Sequence, residues 1–99
     1  MDFKTEENNT SSTLFLKGEI DMSNADSIKD IALKLIQRKK DLIINLKDVT
    51  YIDSSGISIL IEAHKNAAQN SVKSILVEVS KGALKVIMMA RLEQILTIE

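Results

Sequence analysis

Short apolar runs alternate with segments of helical periodicity through most of the chain, and this alternation limits the fold more than any other feature. Apolar residues at positions 25, 28, 31, 32, 35 and 36 fall on one face of a helix. The apolar run within residues 41–47 is too short for a helix and predicts a strand buried on both faces of a sheet. Further helix–strand pairs follow, so we predict an α/β fold with a largely parallel sheet and right-handed crossovers.

The remaining elements follow from turn and capping signals. Residues 2–6 and 13–19 are strand candidates on either side of a polar cluster at 7–12, a pattern typical of a β-hairpin. Ser23 or Asn24 can cap the first helix, and Ser80 can cap a third helix with Met88 on its apolar face. Residues 72–79 and 95–98 complete the strands. We therefore predict one domain over residues 1–99, with a mixed sheet of about five strands and packed helices in the order β-β-α-β-α-β-α-β.

Composition excludes several classes of function. The chain has 13 basic and 14 acidic residues, so no overall field draws it to nucleic acid or to an anionic membrane. It has no Cys, which excludes disulfides and zinc–thiolate sites. Neither a signal peptide nor an apolar stretch of about 18 residues is present. We expect a cytoplasmic protein that does not bind nucleic acid directly, does not insert into a membrane, and uses no metal ion or cofactor.

The segment Asp53-Ser54-Ser55-Gly56 lies between a buried strand and an amphipathic helix. Its structural interpretation is simple, because Asp and Ser are good helix caps and Gly permits a tight turn. A functional interpretation is that a hydroxyl here lies near a helix N-terminus, where free amides and the helix dipole favour an anion. A phosphate on Ser55 would then be held by those amides and would add charge to a surface loop.

The residues from Leu46 to Ile57 resemble the signature of the STAS domain family. In the anti-sigma factor antagonist branch of that family, an apolar strand leads through a hydrophobic-Asp-Ser-Ser-Gly-Leu loop into a helix. The upstream Gly18-Glu19-Ile20-Asp21 is similar to the family's Gly-Glu-Leu-Asp segment after the second strand. The resemblance covers nearly the whole chain, and the order of elements derived above agrees with it.

The resemblance implies a non-enzymatic binding module that acts as a phosphorylation-controlled partner switch. Ser55 would be phosphorylated by a cognate anti-sigma factor, which is an ATP-dependent serine kinase, with Ser54 as the alternative acceptor. The unmodified domain would bind that kinase and make it release a sigma factor, and a PP2C-type phosphatase would reset the switch. The loop and docking positions that the resemblance implies are Asp21, Asp53, Gly56, Ile57 and Ser58.

Some features leave other functions open. Arg91 stands where family members often have a Gly, which changes a possible partner surface. STAS domains also serve as structural subunits of lipid-transport complexes or stress-signalling assemblies, so a constitutive interaction subunit is the alternative. A phosphotransfer enzyme would require Asp21, Asp48 and Asp53 to meet around Mg²⁺. A serine hydrolase is excluded, because the lone His64 is two helical turns from Ser55.

Overall fold

The computed structural model describes residues 3–99 and contains every predicted strand and helix in the predicted order. The elements are β1 (Phe3–Glu7), β2 (Ser11–Ile20), α1 (Ala25–Gln37), β3 (Asp41–Ile52), α2 (Ser54–Gln69), β4 (Ser74–Val77), α3 (Lys81–Met89), a 3₁₀ turn (Leu92–Gln94) and β5 (Thr97–Ile98). The predicted first strand also included Asp2, which lies outside the described residues. The predicted α/β class is thus confirmed.

The five strands form one mixed sheet in the order β1-β2-β3-β4-β5. β1 pairs antiparallel with β2, and the three other neighbouring pairs are parallel. The hairpin therefore supplies the antiparallel edge, and each later strand is reached by a crossover that contains a helix. Neighbouring parallel strands end at the same edge, which brings the ends of β2 and β3 together: Ile20 is the register partner of Ile52.

The helices cover one face of the sheet. Leu14, Ile44 and Leu76 are aligned across β2, β3 and β4, and each is at most 2% exposed. The alternate residues Phe15 and Ile43 are only half-buried, so the prediction that β3 is buried on both faces is wrong. The physical reason is the strand order, because right-handed crossovers that step in one direction place their helices on the same face.

Strand ends differ from the sequence prediction in several places. The polar turn predicted at 7–12 is confined to residues 8–10, because Oδ1 of Asn8 accepts hydrogen bonds of 2.8 Å from the amides of Thr10 and Ser11. β3 continues to Ile52 because it pairs with β2 as far as Ile20. β4 is shorter than the predicted 72–79. Residues 92–94 form a 3₁₀ turn, and only Thr97–Ile98 of the predicted last strand pairs with β4.

α3 presents a narrower apolar face than its sequence indicated. Ser80 caps the helix as predicted, with Oγ accepting from the amide of Ala83 at 3.2 Å. Ala83 and Ile87, four residues apart, are its buried side chains. Met88, predicted on the apolar face, is 53% exposed, because a helix of nine residues contacts the sheet along a single i, i+4 stripe.

Candidate functional site

The start of α2 is closed by the side chain of Asp53. Asp53 is the N-cap, and its Oδ1 accepts hydrogen bonds from the amides of Ser55 at 2.8 Å and Gly56 at 3.2 Å. The amide of Asp53 donates to the carbonyl of Ile20 at 3.1 Å, which ties the cap to the end of β2. The amides of Ser55 and Gly56 are therefore already occupied, so the predicted cradle for a phosphate on Ser55 lacks these two donors.

Gly56 is needed for space rather than for a turn. It lies within α2, and its backbone is not among those with a positive φ. A Cβ at this position would lie 2.6 Å from Cγ2 of Ile52 and 2.8 Å from Cγ2 of Ile20. The expected tight turn is thus replaced by a close approach of the helix to the two strand ends. That approach fixes the height of the neighbouring serines above the sheet.

Ser54 and Ser55 face different surfaces. Ser55 is half-buried and lines a groove of about 380 Å³ between α1 and α2, which we name the α1–α2 groove. Ser54 is exposed and lines a groove of about 720 Å³ between the start of α2 and α3, which we name the α2–α3 groove. Because successive residues of a helix point about 100° apart, modification of one serine leaves the other surface unchanged.

The α1–α2 groove combines an apolar contact with an ion pair. Met22, in the loop before α1, is 80% exposed and lines the groove beside Ser55 and Ser58. Further along the two helices, Nζ of Lys29 lies 3.3 Å from Oε2 of Glu62. The groove thus offers a partner one exposed apolar side chain and a pair of opposite charges.

Asp21 lies next to Met22, in the loop that follows β2. Its Oδ1 accepts hydrogen bonds from Oγ of Ser23 at 2.5 Å and from the amide of Ser23 at 2.9 Å. These bonds, chiefly the one from the hydroxyl, hold the pKa of Asp21 below its ordinary value against a smaller opposing effect of burial. The loop also uses Asn24, whose side-chain amide donates to the carbonyl of Glu19 at 2.8 Å. Asp21 is therefore a fixed negative charge at the same sheet edge as Ser55.

The predicted docking residues are divided between the two grooves. Ser55 and Ser58 line the α1–α2 groove, with Asp21 in the adjoining loop. Ile57 is half-buried and lines the α2–α3 groove instead, together with Tyr51 and the 75%-exposed Met89. The helical spacing of the predicted positions thus separates Ile57 from Ser58.

Sequence reasoning gave no site role to six of the residues that line the α1–α2 groove: Met22, Ala25, Asp26, Lys29, Ile59 and Glu62. Residues 55, 58 and 62 follow each other at steps of three and four, which is the spacing of one helix face. That spacing would have placed Glu62 on the same helix face as Ser55, about two turns further along α2. No comparable signal connects Lys29 to α2, because the two helices are distant in the sequence.

The acidic residues do not form a metal site. Over residues 3–99, no group of three or more His, Asp or Glu side chains could hold a metal ion, so Asp21, Asp48 and Asp53 are not arranged around a common point. This geometry gives no support to magnesium-dependent phosphotransfer on aspartate. The same described residues include no helix with the length and apolar character needed to span a bilayer.

Known proteins resemble this chain in both sequence and fold. The family model of the STAS domain matches residues 2–99. The anti-sigma-B factor antagonist of Listeria monocytogenes is 30% identical over 88 residues, which cover 87% of this chain and 76% of that protein.

Two solved structures share the fold at lower identity. The Bacillus anti-sigma factor antagonist SpoIIAA in its unphosphorylated form matches with a TM-score of 0.83 and 20% identity, over 98% of this chain and 87% of that one. A chain of the Acinetobacter MlaFEDB complex matches with a TM-score of 0.75 and 21% identity, over 97% of this chain and 99% of that one. The family match over residues 2–99 spans all the described strands and helices. This chain belongs to the STAS domain family.

Proposed function

We propose that this chain is an anti-sigma factor antagonist whose binding to its partner is switched by phosphorylation of Ser55. The unmodified domain binds an anti-sigma factor that is also a serine kinase, and the anti-sigma factor then releases its sigma factor. A PP2C-type phosphatase restores the unmodified state. The domain itself contributes binding and no catalysis.

The observation that carries this proposal is the position of Ser55. Its side chain is half-buried in the α1–α2 groove, which the exposed Met22 also lines, and its backbone amide donates to the N-cap Asp53. A kinase that docks on the groove therefore meets the serine at the centre of its contact. The relative named an anti-sigma-B factor antagonist is 30% identical over 87% of this chain, which supports the antagonist role.

A phosphate on Ser55 would act on the docking surface directly. It adds a charge of about −1.5 to −2. Asp21 and Asp53 already place two negative charges at this edge, and the carboxylate of Asp53 occupies the amides that would otherwise receive an anion. The added charge is therefore not received by the amides of Ser55 and Gly56, and it faces the partner. Repulsion and desolvation at this point break the contact while the fold is unchanged.

Binding measurements with charge variants test the proposal. Calorimetry with each candidate anti-sigma factor of the source genome compares the native chain with Ser55→Ala and Ser55→Asp. We expect Ser55→Ala to bind normally and to be insensitive to ATP, and Ser55→Asp to bind at least tenfold more weakly. Ser54→Asp adds the same charge to the α2–α3 groove and is the matched control. Native affinity of Ser55→Asp would contradict the repulsion account.

A constitutive interaction subunit is the second candidate function. The match to a chain of the MlaFEDB complex favours it, since the two chains correspond over nearly their whole lengths. In that case the α1–α2 groove would be a permanent contact surface, and Ser55 would not be modified. Copurification of the domain with a transporter ATPase, and not with an anti-sigma factor, would favour this second function.

A further inference from the structure

We propose that Lys29 is the counterion of a phosphate on Ser55, and that phosphorylation takes the ammonium group of Lys29 away from Glu62. The phosphate itself rests on the function proposed above. The exchange of ion pairs is a separate inference, drawn from the α1–α2 groove.

The first argument is the charge that surrounds Ser55. The loop after β2 contributes Asp21, α1 contributes Asp26, and the start of α2 contributes Asp53. Among residues 3–99, Lys29 is the one cationic side chain that lines the α1–α2 groove with Ser55. A phosphate that the helix amides do not receive is therefore drawn to Lys29.

The second argument is the height of Lys29 along the helices. α1 and α2 both begin where neighbouring parallel strands end, at Ile20 and Ile52, so the two helices run in the same direction. Lys29 is the fifth residue of α1, about 6 Å from its start. On α2, Ser55 is the second residue and Glu62 is the ninth. Lys29 thus lies between the levels of the two side chains, and its flexible stem reaches either.

The third argument is the weakness of the existing ion pair. The side chains of Lys29 and Glu62 are 39% and 52% exposed, and their charged atoms are 3.3 Å apart. Exposed pairs of this kind contribute little to stability, so little is lost when the lysine moves. A dianionic phosphate attracts an ammonium group more strongly than a single carboxylate does.

The exchange enlarges the effect of phosphorylation on the partner. Glu62 loses its cation when Lys29 turns to the phosphate, and its carboxylate becomes unpaired on the same groove. The partner then meets two altered positions instead of one, at Ser55 and at Glu62, about two helical turns apart. A groove that is negative at both positions rejects an acidic or apolar partner surface more completely than a groove with one added charge at its end.

The test is the titration of phosphoserine placed at position 55 by genetic encoding, which needs no kinase. Phosphorus NMR follows the second ionisation of the phosphate, whose ordinary pKa is about 6. Lys29 favours the dianion, so we expect Lys29→Gln to raise the phosphate pKa by roughly 0.3–0.7 unit. Lys29→Arg should restore the native titration. The matched control Lys65→Gln removes the same charge from an exposed position of α2 that does not line the groove.

Equal titration curves for Lys29→Gln and Lys65→Gln would overturn the proposal, because only the overall charge would then matter. Melting temperatures of the phosphorylated variants establish that each one is folded before its titration is compared. Since the phosphoserine is encoded, a shift specific to Lys29 supports the ion-pair exchange even if no kinase modifies Ser55. The failure of the proposed function and the failure of this inference are therefore distinguishable.

Discussion

Asp53 accepts a hydrogen bond from the amide of Ser55 at 2.8 Å, so the residue proposed to be phosphorylated is bonded through its backbone to a fixed carboxylate. The same carboxylate oxygen accepts from Gly56. The start of α2 therefore already contains the anion that a helix N-terminus favours. A phosphate on Ser55 would be a second anion at this point, which explains how modification could change the surface while the helix persists.

Removal of the cap should weaken the domain. Asp53→Ala leaves the amides of Ser55 and Gly56 without their acceptor, and we expect the free energy of unfolding to fall by about 1 kcal/mol. Asp53→Asn keeps an acceptor oxygen and should lose much less. Urea denaturation of the three proteins measures the difference. If Asp53→Ala had the same urea midpoint of unfolding as the native chain, the cap would have no structural role.

Gly56 should not tolerate even a methyl group. In Gly56→Ala the new Cβ would lie within 3 Å of side-chain carbons of both Ile20 and Ile52, so either the helix or the strand ends must shift. We expect a loss of roughly 1–3 kcal/mol in the free energy of unfolding, measured by thermal or urea denaturation. Ser58→Ala, at an exposed position of the same helix, should be nearly neutral. An equally small effect at both positions would mean that the helix is not held close to the sheet.

The sequence was enough to predict the order of the elements and the place of the Asp53-Ser54-Ser55-Gly56 segment between a strand and a helix. Periodicity identifies an amphipathic helix or a buried run wherever it falls in the chain. It does not show where a strand ends, because the length of β3 depends on its pairing with β2 as far as Ile20. The sequence also could not show which groove each of Ser54 and Ser55 lines. That assignment depends on the exact first residue of α2, and helix ends are uncertain by one or two residues.

The role of Gly56 illustrates the same limit. A glycine after two serines is typical of a turn, and the sequence offered no sign of contact with Ile20, thirty-six positions earlier in the chain. Such contacts arise from the tertiary packing of the helix on the sheet. Likewise the pairing of Lys29 with Glu62 depends on the parallel packing of α1 against α2.

Arg91 should be replaceable by glycine with a gain in stability. It follows Ala90, the C-cap of α3, and lies in the left-handed region at φ 59° and ψ 33°, where a Cβ is strained. We expect Arg91→Gly to raise the free energy of unfolding by roughly 0.5–1 kcal/mol and Arg91→Ala to give no gain. Differential scanning calorimetry compares them, and a similar change in both variants would show that the side chain matters and the backbone does not.

Asp21 should titrate at lower pH than an ordinary aspartate. The hydrogen bonds from Ser23 hold its pKa below 3.8, so its carboxylate stabilises the fold above that value. This contribution is lost as the pH falls through the lowered pKa. In Ser23→Ala the hydroxyl bond is absent, and we expect the pKa of Asp21 to rise towards its ordinary value. Carboxyl carbon NMR over an acid titration measures both proteins, and an unchanged pKa would show that the hydroxyl is not bonded in solution.

The most direct test of the switch is intact mass spectrometry after incubation with ATP and each candidate anti-sigma kinase of the source genome. The account predicts that one kinase adds a single phosphoryl group to the native chain and to Ser54→Ala, and adds none to Ser55→Ala. Phosphorylation that persists in Ser55→Ala would contradict the assignment of the site. If kinases that are active on other substrates left the native chain unmodified, the partner-switch account itself would be wrong, and the constitutive subunit would take its place.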